Sequence, residues 1–147
     1  MKKQHKICVT SPSFSKNEIL RKELLAVFPN SFFNEDGRKY NSEELIEYLN
    51  DADGVILGLE NMDSKVISAL PDLQIISKYG VGLDNLDVEF AKSVCKKIGW
   101  TGGVNKQSAA EQALGLMLGI CRNLYLSGYK LKQGVWEHKH PFKGFIL

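Results

Sequence analysis

Gly80 and Gly82 lie one residue apart, and their type and spacing suit ligand binding better than those of any other residues in this chain. Glycine has no Cβ, so it can adopt positive φ and lets the backbone come close to a bound group. The turn that contains them lies between a short apolar run, 73–77, and a helix-like segment that begins near Val88. A turn of this kind presents free N–H groups to an anion. We therefore predict a backbone cradle for a small anionic group.

The turn comes close to the dinucleotide-binding pattern G-x-G-x-x-G but does not match it. Asn85 occupies the position of the third glycine. The next predicted strand, near Ile98, does not end in the Asp or Glu that would hold a ribose hydroxyl. A nucleotide-binding loop is therefore disfavoured. A glycine-containing turn that binds no ligand remains the alternative.

Other residues that could do chemistry form weaker patterns. His138 and His140 flank a lysine in a predicted loop, where solvation at the surface is the default interpretation. Cys8, Cys95 and Cys121 are far apart and form no C-x-x-C pair, so we expect buried free thiols in a reducing cytoplasm. Because no Cys/His cluster has metal-ligand spacing, we assign no metal site, and we assign no catalytic residue either.

Composition sets limits on the class of protein. The 147 residues are 44% hydrophobic and 24% charged, which is the ordinary balance of a soluble domain. The net charge of +2 gives no reason to expect nucleic-acid binding. No apolar run approaches the roughly 18 residues of a membrane span, and the basic N-terminus is not a signal peptide. We expect a cytoplasmic protein with no nucleic-acid or membrane partner.

The elements that position the glycine turn alternate between strands and helices at spacings of roughly 20 to 25 residues. Capping patterns start three of the helices, at Ser15 with Glu18, at Asn41 with Glu44, and at Asp63. The alternation predicts a flavodoxin-like α/β fold, in which a parallel five-stranded sheet of order 2-1-3-4-5 carries helices on both faces. The predicted strands are 6–10, 32–33, 54–58, 73–77 and 98–101.

Ligands of such sheets bind outside the carboxyl ends of the strands, where the strand order reverses. The turns that follow the first, third and fourth strands should therefore line one crevice. These turns are residues 11–13, 58–60 and 80–82.

The last predicted helix differs from the others, because nearly every residue in 113–121 is apolar or glycine. A helix that is apolar all round must be buried on more than one side. We predict a long C-terminal helix that runs toward about Lys132, with Ser108 and Glu111 as a capping box. Gly115 and Gly119 would allow close approach of a second helix. We expect a homodimer through residues 109–125.

Residues 73–87, LQIISKYGVGLDNLD, resemble the signature of the D-isomer-specific 2-hydroxyacid dehydrogenases, the family of phosphoglycerate dehydrogenase and its relatives. The resemblance covers roughly residues 54–147, whereas 1–53 fit the family only in layout. It implies a substrate-binding domain in 1–104, followed in 105–147 by a helix and tail that would begin a nucleotide-binding domain, the rest of which is absent. The other matching segments, in the family's order, are 103–105, 109–111, 116–118, Arg122 and 134–136.

The resemblance implies hydride transfer between NAD(H) and a 2-hydroxy or 2-keto acid. Gly80, Val81 and Gly82 would bind the substrate, whose carboxylate would accept hydrogen bonds from the backbone N–H groups of the turn. Asn105 would lie near the substrate, and Lys106 near the cofactor. The alternative for Asn105 is a helix N-cap, and the alternative for Lys106 is a solvated surface lysine.

Two departures from the family matter. Leu59 and Glu60 follow the third strand, where phosphoglycerate-type members often place a basic residue and a hydroxyl, and a carboxylate there would repel a phosphate unless neutralised. The family's glycine fingerprint and its catalytic Arg, Glu and His would lie beyond Leu147. We therefore expect the 147 residues alone to be inactive and to bind NADH weakly or not at all. The alternative function is a non-catalytic module that binds small anions or other proteins.

Overall fold

The computed structural model describes residues 5–136 of the chain. The chain divides into two compact units, Met1–Gly102 and Gly103–Leu147, of which 5–102 and 103–136 are described. The first unit contains a five-stranded sheet with its helices, and residues 103–136 of the second contain two helices. The predicted loop with His138 and His140 lies outside the described residues.

The first unit is built on an all-parallel sheet in the order β2-β1-β3-β4-β5. All four neighbouring pairs of strands are parallel, so the predicted order and direction are confirmed. The predicted strands are present, with bounds that differ by one or a few residues. These strands are β1 (Ile7–Val9), β2 (Ser31–Phe33), β3 (Gly54–Leu57), β4 (Ile75–Lys78) and β5 (Lys97–Gly99).

Local capping signals set the starts of two helices as predicted. Asn41 and Glu44 form both arms of a capping box, because each side chain accepts a hydrogen bond from the other residue's backbone N–H, at 3.0 and 2.9 Å. The Asp63 carboxylate accepts from the Val66 N–H at 3.0 Å. The helices of this unit are α1 (Pro12–Ser15), α2 (Glu18–Val27), α3 (Ser42–Tyr48), α4 (Ser64–Ser68) and α5 (Val88–Ser93).

The predicted capping box of Ser15 and Glu18 is wrong. Ser15 ends the short helix α1, and the side chain of Asn17 caps α2 by accepting from the N–H groups of Ile19 and Leu20. The Ser15 hydroxyl is buried and accepts instead from the backbone N–H of Asn34, at 3.0 Å. The Ser15 hydroxyl oxygen, which local spacing predicted to cap α2, thus accepts a tertiary hydrogen bond instead.

The core of the first unit lies between the sheet and helices α3, α4 and α5. Its side chains come from the strands, from the helices and from the segments that join them, and they form one layer between the sheet and these helices. The most buried large side chains are Leu45, Leu49, Leu57, Met62, Ile67, Leu73 and Ile76, each at most 1% exposed. This packing fixes the carboxyl ends of β3 and β4. The glycine turn begins at the end of β4.

The second unit contains α6 (Lys106–Cys121) and α7 (Leu124–Lys132), so the predicted C-terminal helix is present. Its predicted uninterrupted run toward Lys132 is wrong, because Asn123 has φ +53° and breaks the helix. Asn adopts this left-handed conformation more readily than most residues do. At Gly119 a Cβ would lie 2.6 Å from the Tyr125 ring, so this glycine allows α7 to pack against α6.

The predicted capping box at the start of α6 does not form. Asn105 occupies the N-cap position without a side-chain capping bond, and the Glu111 carboxylate accepts from the Gln107 side chain at 3.0 Å. Within the part of the chain that the structure describes, no helix has both the length and the apolar character needed to span a membrane.

Candidate functional site

The glycine turn directly follows β4, at the carboxyl edge of the sheet. Gly80 has φ +151°, a conformation that favours glycine, whereas Gly82 does not have positive φ. Within residues 5–136, the backbone N–H groups of Val81 and Gly82 donate to no other group, and both residues are exposed. The turn therefore offers two donors to an anion, as a cradle requires. Assignment of Gly80, Val81 and Gly82 to the substrate remains a prediction.

Lys78 and Asn85 join this turn to the loop after β3. The Lys78 ammonium donates to the Gly58 carbonyl and, at 2.7 Å, to the Asn85 side-chain oxygen. The Asn85 side-chain NH₂ donates to the carbonyls of Gly58 and Glu60, at 3.2 and 2.6 Å. Burial lowers the pKa of Lys78, and the negative charges of Asp84 and Glu60 oppose part of that shift. A half-buried cation is thus held at the base of the turn.

The other side of the turn is tied to the end of β5. The indole N–H of Trp100 donates to the Val81 carbonyl at 3.2 Å. A Cβ at Gly102 would lie 2.7 Å from the Trp100 ring, so glycine at that position leaves room for the indole. Because the Val81 carbonyl is occupied, the peptide that carries the Gly82 N–H is held in one orientation.

A buried hydrogen-bond network lies under the loop after β3. The Thr10 hydroxyl donates to the Glu60 carboxylate at 2.6 Å and accepts from the Gly58 N–H at 2.8 Å. The Asn34 side chain donates to the Thr10 carbonyl at 2.7 Å. Thr10, Asn34 and Glu60 are each at most 1% exposed. The Glu60 carboxylate, which was expected to repel a phosphate unless neutralised, is therefore engaged inside the protein.

A cleft of about 280 Å³ lies at the carboxyl edge of the sheet. Two of the three turns predicted to meet there, 11–13 and 58–60, line it, while the third segment contributes Tyr79 rather than residues 80–82. The Tyr79 ring packs edge-on against Phe14, with ring centroids 5.3 Å apart. The loop between β2 and α3 also lines the cleft, through Gly37, Arg38 and Lys39.

The remaining predicted residues fall elsewhere. Asn105 and Lys106 are the N-cap and first residue of α6, in the second unit, and their assignments to substrate and cofactor remain predictions. All three cysteines are free, but only Cys8 is buried, and burial raises its pKa to about 11. The prediction of burial is wrong for Cys95, which is exposed, and Cys121 is half-buried. The described residues contain no group of side chains suited to a metal ion.

Lys78, Asn85, Thr10 and Arg38 are site residues that the sequence analysis did not identify. Asn85 was considered only as a missing glycine. Polar residues at or just after the ends of apolar strand runs were a usable signal for Thr10 and Lys78, because the carboxyl ends of parallel strands meet at one edge. No comparable signal marked Arg38, which lies in a loop.

An all-parallel sheet covered by helices, with a cleft at its carboxyl edge, defines an α/β domain of the class in which ligands bind at that edge. The model of the family "D-isomer specific 2-hydroxyacid dehydrogenase, catalytic domain" matches residues 8–134. The chain therefore belongs to the D-isomer-specific 2-hydroxyacid dehydrogenase family, as the resemblance of residues 73–87 indicated.

Among curated relatives, the hydroxypyruvate reductase of Thermotoga maritima is 36% identical over 98 residues, which are 66% of this chain and 32% of the relative. The D-3-phosphoglycerate dehydrogenase of Methanocaldococcus jannaschii is 36% identical over 106 residues, which are 71% of this chain and 20% of that protein. The chain thus spans a third or less of the length of these two relatives.

The solved structure of NAD⁺-bound 3-phosphoglycerate dehydrogenase from Entamoeba histolytica superimposes with a TM-score of 0.64 and 28% identity. The match covers 82% of this chain and 40% of that chain. Sequence and fold thus agree on the family, and both place the similarity in part of a longer protein.

Proposed function

We propose that this chain is the substrate-binding part of an NAD-dependent D-2-hydroxyacid dehydrogenase, which transfers a hydride between NAD(H) and a 2-hydroxy or 2-keto acid. The observation that carries the proposal is the pair of free N–H groups at Val81 and Gly82. Backbone donors held in place stabilise a carboxylate with little reorganisation. The half-buried Lys78 ammonium at the base of the turn adds positive charge. Residues 1–104 would form the substrate domain.

The glycine turn does not suit a dinucleotide. Asn85 stands where the third glycine of a nucleotide loop would be, and its side chain links Gly58 to Glu60. NAD is therefore proposed as the cofactor of the full-length protein, with residues 105–147 beginning its nucleotide domain and Lys106 near the cofactor. The described residues of the first unit would bind and orient the keto acid.

Titration of the ¹⁵N-labelled chain with pyruvate tests the proposal. We expect the backbone amide signals of Val81 and Gly82 to shift in a saturable way, because their N–H groups would donate to the carboxylate. Acetate at equal concentration should shift them less if the site also recognises the keto group, whereas equal responses would favour a general small-anion module. Shifts confined to other residues would contradict the proposal. Saturable NADH binding at micromolar concentration would contradict the expectation that residues 1–147 bind NADH weakly or not at all.

We also propose that the protein is a cytoplasmic homodimer whose contact lies on helix α6. Several large apolar side chains of this helix are exposed, and burial of each would contribute about 1.5–3 kcal/mol. Contiguous surfaces of this kind mark interfaces. The exposed fractions are 54% for Leu114, 43% for Leu116, 57% for Met117, 43% for Leu118 and 67% for Ile120.

The substitution Leu118→Glu is expected to convert the dimer to a monomer, because a carboxylate cannot be buried in an apolar contact without a partner. Light scattering after size exclusion measures the change. Gln133→Glu adds the same charge at an exposed polar position outside residues 109–125 and should leave the dimer intact. A wild-type mass near 16.5 kDa at high micromolar concentration would contradict the dimer.

A further inference from the structure

One hydrogen bond fixes the backbone within the glycine turn. Tyr79, just before the turn, is still tied to the sheet, because its N–H donates to the Leu57 carbonyl at 2.9 Å. In residues 80–82, no backbone group except the Val81 carbonyl has a hydrogen-bond partner in the described part of the chain. That carbonyl accepts from the indole N–H of Trp100 at 3.2 Å. The orientation of the turn is therefore restrained by a side chain from outside it.

Trp100 reaches this carbonyl because β4 and β5 are neighbours in the sheet. Their register pairs Ser77 with Gly99, so Trp100, the residue after β5, lies beside the turn that follows β4. The indole ring packs against Gly102, where a Cβ would lie 2.7 Å from it. Trp100 is 46% exposed, so little of the ring serves to fill the core. Its contact with the turn is thus the main interaction of its polar atom.

The peptide between Val81 and Gly82 is one that can rotate. Turns of types I and II differ by rotation of one peptide by about 180°, and the rotated form needs positive φ at the residue that carries the N–H. Glycine adopts positive φ at little cost. In the observed orientation Gly82 does not have positive φ, and its N–H is free for a ligand. Rotation would direct a carbonyl oxygen at the anion instead, and the Val81 carbonyl would lose its bond to Trp100.

The same hydrogen bond also makes the Gly82 N–H a better donor. A peptide whose carbonyl accepts a hydrogen bond is more polarised, and hydrogen bonds in a chain strengthen one another by roughly 10–30% each. The chain at this site would run from the Trp100 N–H through the Val81–Gly82 peptide to the ligand. Because coupling between two binding events is reciprocal, an anion at Gly82 should strengthen the indole hydrogen bond in turn.

We propose that Trp100 is a positioning residue for the substrate carboxylate, because its indole N–H holds the Val81–Gly82 peptide with the Gly82 N–H available to the ligand. This inference rests on the proposed function and adds to it a residue that acts through the glycine turn from outside it. A carboxylate then meets a donor that is already oriented, which lowers the entropy that binding must remove. If the indole only anchored the segment after β5, it would not respond to a ligand.

The indole Nε1–H signal of Trp100 in the ¹⁵N-labelled chain tests the inference. Titration with pyruvate is expected to shift this signal to lower field, with the same dissociation constant as the backbone amide of Gly82, because one peptide joins the two hydrogen bonds. Trp136→Phe removes the other tryptophan and so assigns the signal. Trp136 lies in the second unit, and its replacement should leave the affinity for pyruvate unchanged. An indole signal that stays fixed while the Gly82 amide shifts would overturn the inference.

Two substitutions break the contact in different ways. Trp100→Phe keeps an aromatic ring but removes the N–H. Gly102→Ala keeps the indole but places a methyl group 2.7 Å from its present position. Gly102 does not have positive φ, so alanine there adds no backbone strain of its own. Each variant should bind pyruvate about fivefold more weakly, the effect expected of one hydrogen bond, and Trp100→Phe should leave the midpoint of urea denaturation nearly unchanged.

The two proposals fail separately. If pyruvate shifts the amide signals of Val81 and Gly82 in the wild type and binds both variants with unchanged affinity, the inference is overturned and the proposed function stands. If Trp100→Phe lowers the urea midpoint but not the affinity, the role of the indole is structural and the inference is again overturned. If pyruvate shifts no signal of the glycine turn in the wild type, the proposed function fails, and the inference fails with it.

Discussion

Substitution of Gly80 by alanine is expected to abolish binding of 2-keto acids and to lower the free energy of unfolding by about 1–3 kcal/mol. Gly80 has φ +151°, which L-amino acids with a side chain rarely adopt, and a Cβ there would lie 3.4 Å from the Lys78 side chain. The turn must relax to accept alanine, and the N–H groups of Val81 and Gly82 would then leave their positions. Urea denaturation measures the stability, and pyruvate titration followed by NMR measures binding.

Gly82→Ala is the matched control in the same turn. Gly82 does not have positive φ, so the backbone strain that a side chain would cause applies to Gly80 alone. A Cβ at Gly82 would come 2.5 Å from the Asp84 carboxylate, but this is the end of an exposed side chain that can rotate away. The free energy of unfolding should change by no more than roughly 0.5 kcal/mol. Equal losses in the two variants would show that backbone conformation is not the cause.

Thr10→Val is expected to lower the free energy of unfolding of the first unit by about 3 kcal/mol. Valine fills nearly the same volume, but it has no hydroxyl to donate to the Glu60 carboxylate or to accept from the Gly58 N–H. Both groups would then be buried without this partner, and burial of an unpaired charge is especially unfavourable.

Thr101→Val makes the same chemical change at an exposed side chain that forms no hydrogen bond in the described part of the chain. Its effect should stay within roughly 0.5 kcal/mol. Urea denaturation at neutral pH compares the two variants with the wild type. A small change for Thr10→Val would mean that water replaces the hydroxyl and that the network is less important than its burial indicates.

The architecture of the first unit could be predicted because its signals are periodic and repeated. Alternating strand and helix patterns leave few topologies once right-handed crossovers are required, so the order of the strands followed. The capping box of Asn41 and Glu44 was predictable for a related reason, since both of its hydrogen bonds join residues three apart. These features depend on neighbours in the sequence.

Features that depend on distant partners could not be predicted in the same way. Ser15 and Asn17 are both good capping residues, and the choice between them was made by Asn34, which lies 19 positions from Ser15. The break at Asn123 was hidden because the apolar pattern continues across it. Periodicity indicates which residues face a core but not where a chain turns back on itself.

The candidate site also contains local features that could be predicted and long-range contacts that could not. The glycine turn was identified because all of its chemistry lies within a few consecutive residues. The contacts that hold it, from Lys78 to Gly58 and from Thr10 to Glu60, join residues 20 and 50 positions apart. They become visible only when β1, β3 and β4 are placed side by side.

The position of β1 inside the sheet, between β2 and β3, has a consequence for how the first unit forms. This strand is the first to be made, yet it lies between β2 and β3, and contacts at its start reach from Lys6 to Asp53, across 47 positions. Closing so long a loop removes chain entropy before any sheet contact can compensate, which slows folding. During synthesis β1 therefore cannot pair with β3, its neighbour toward the middle of the sheet, until β3 has been made. The pairing of β1 with β3 thus begins only after residues 54–57 have been made.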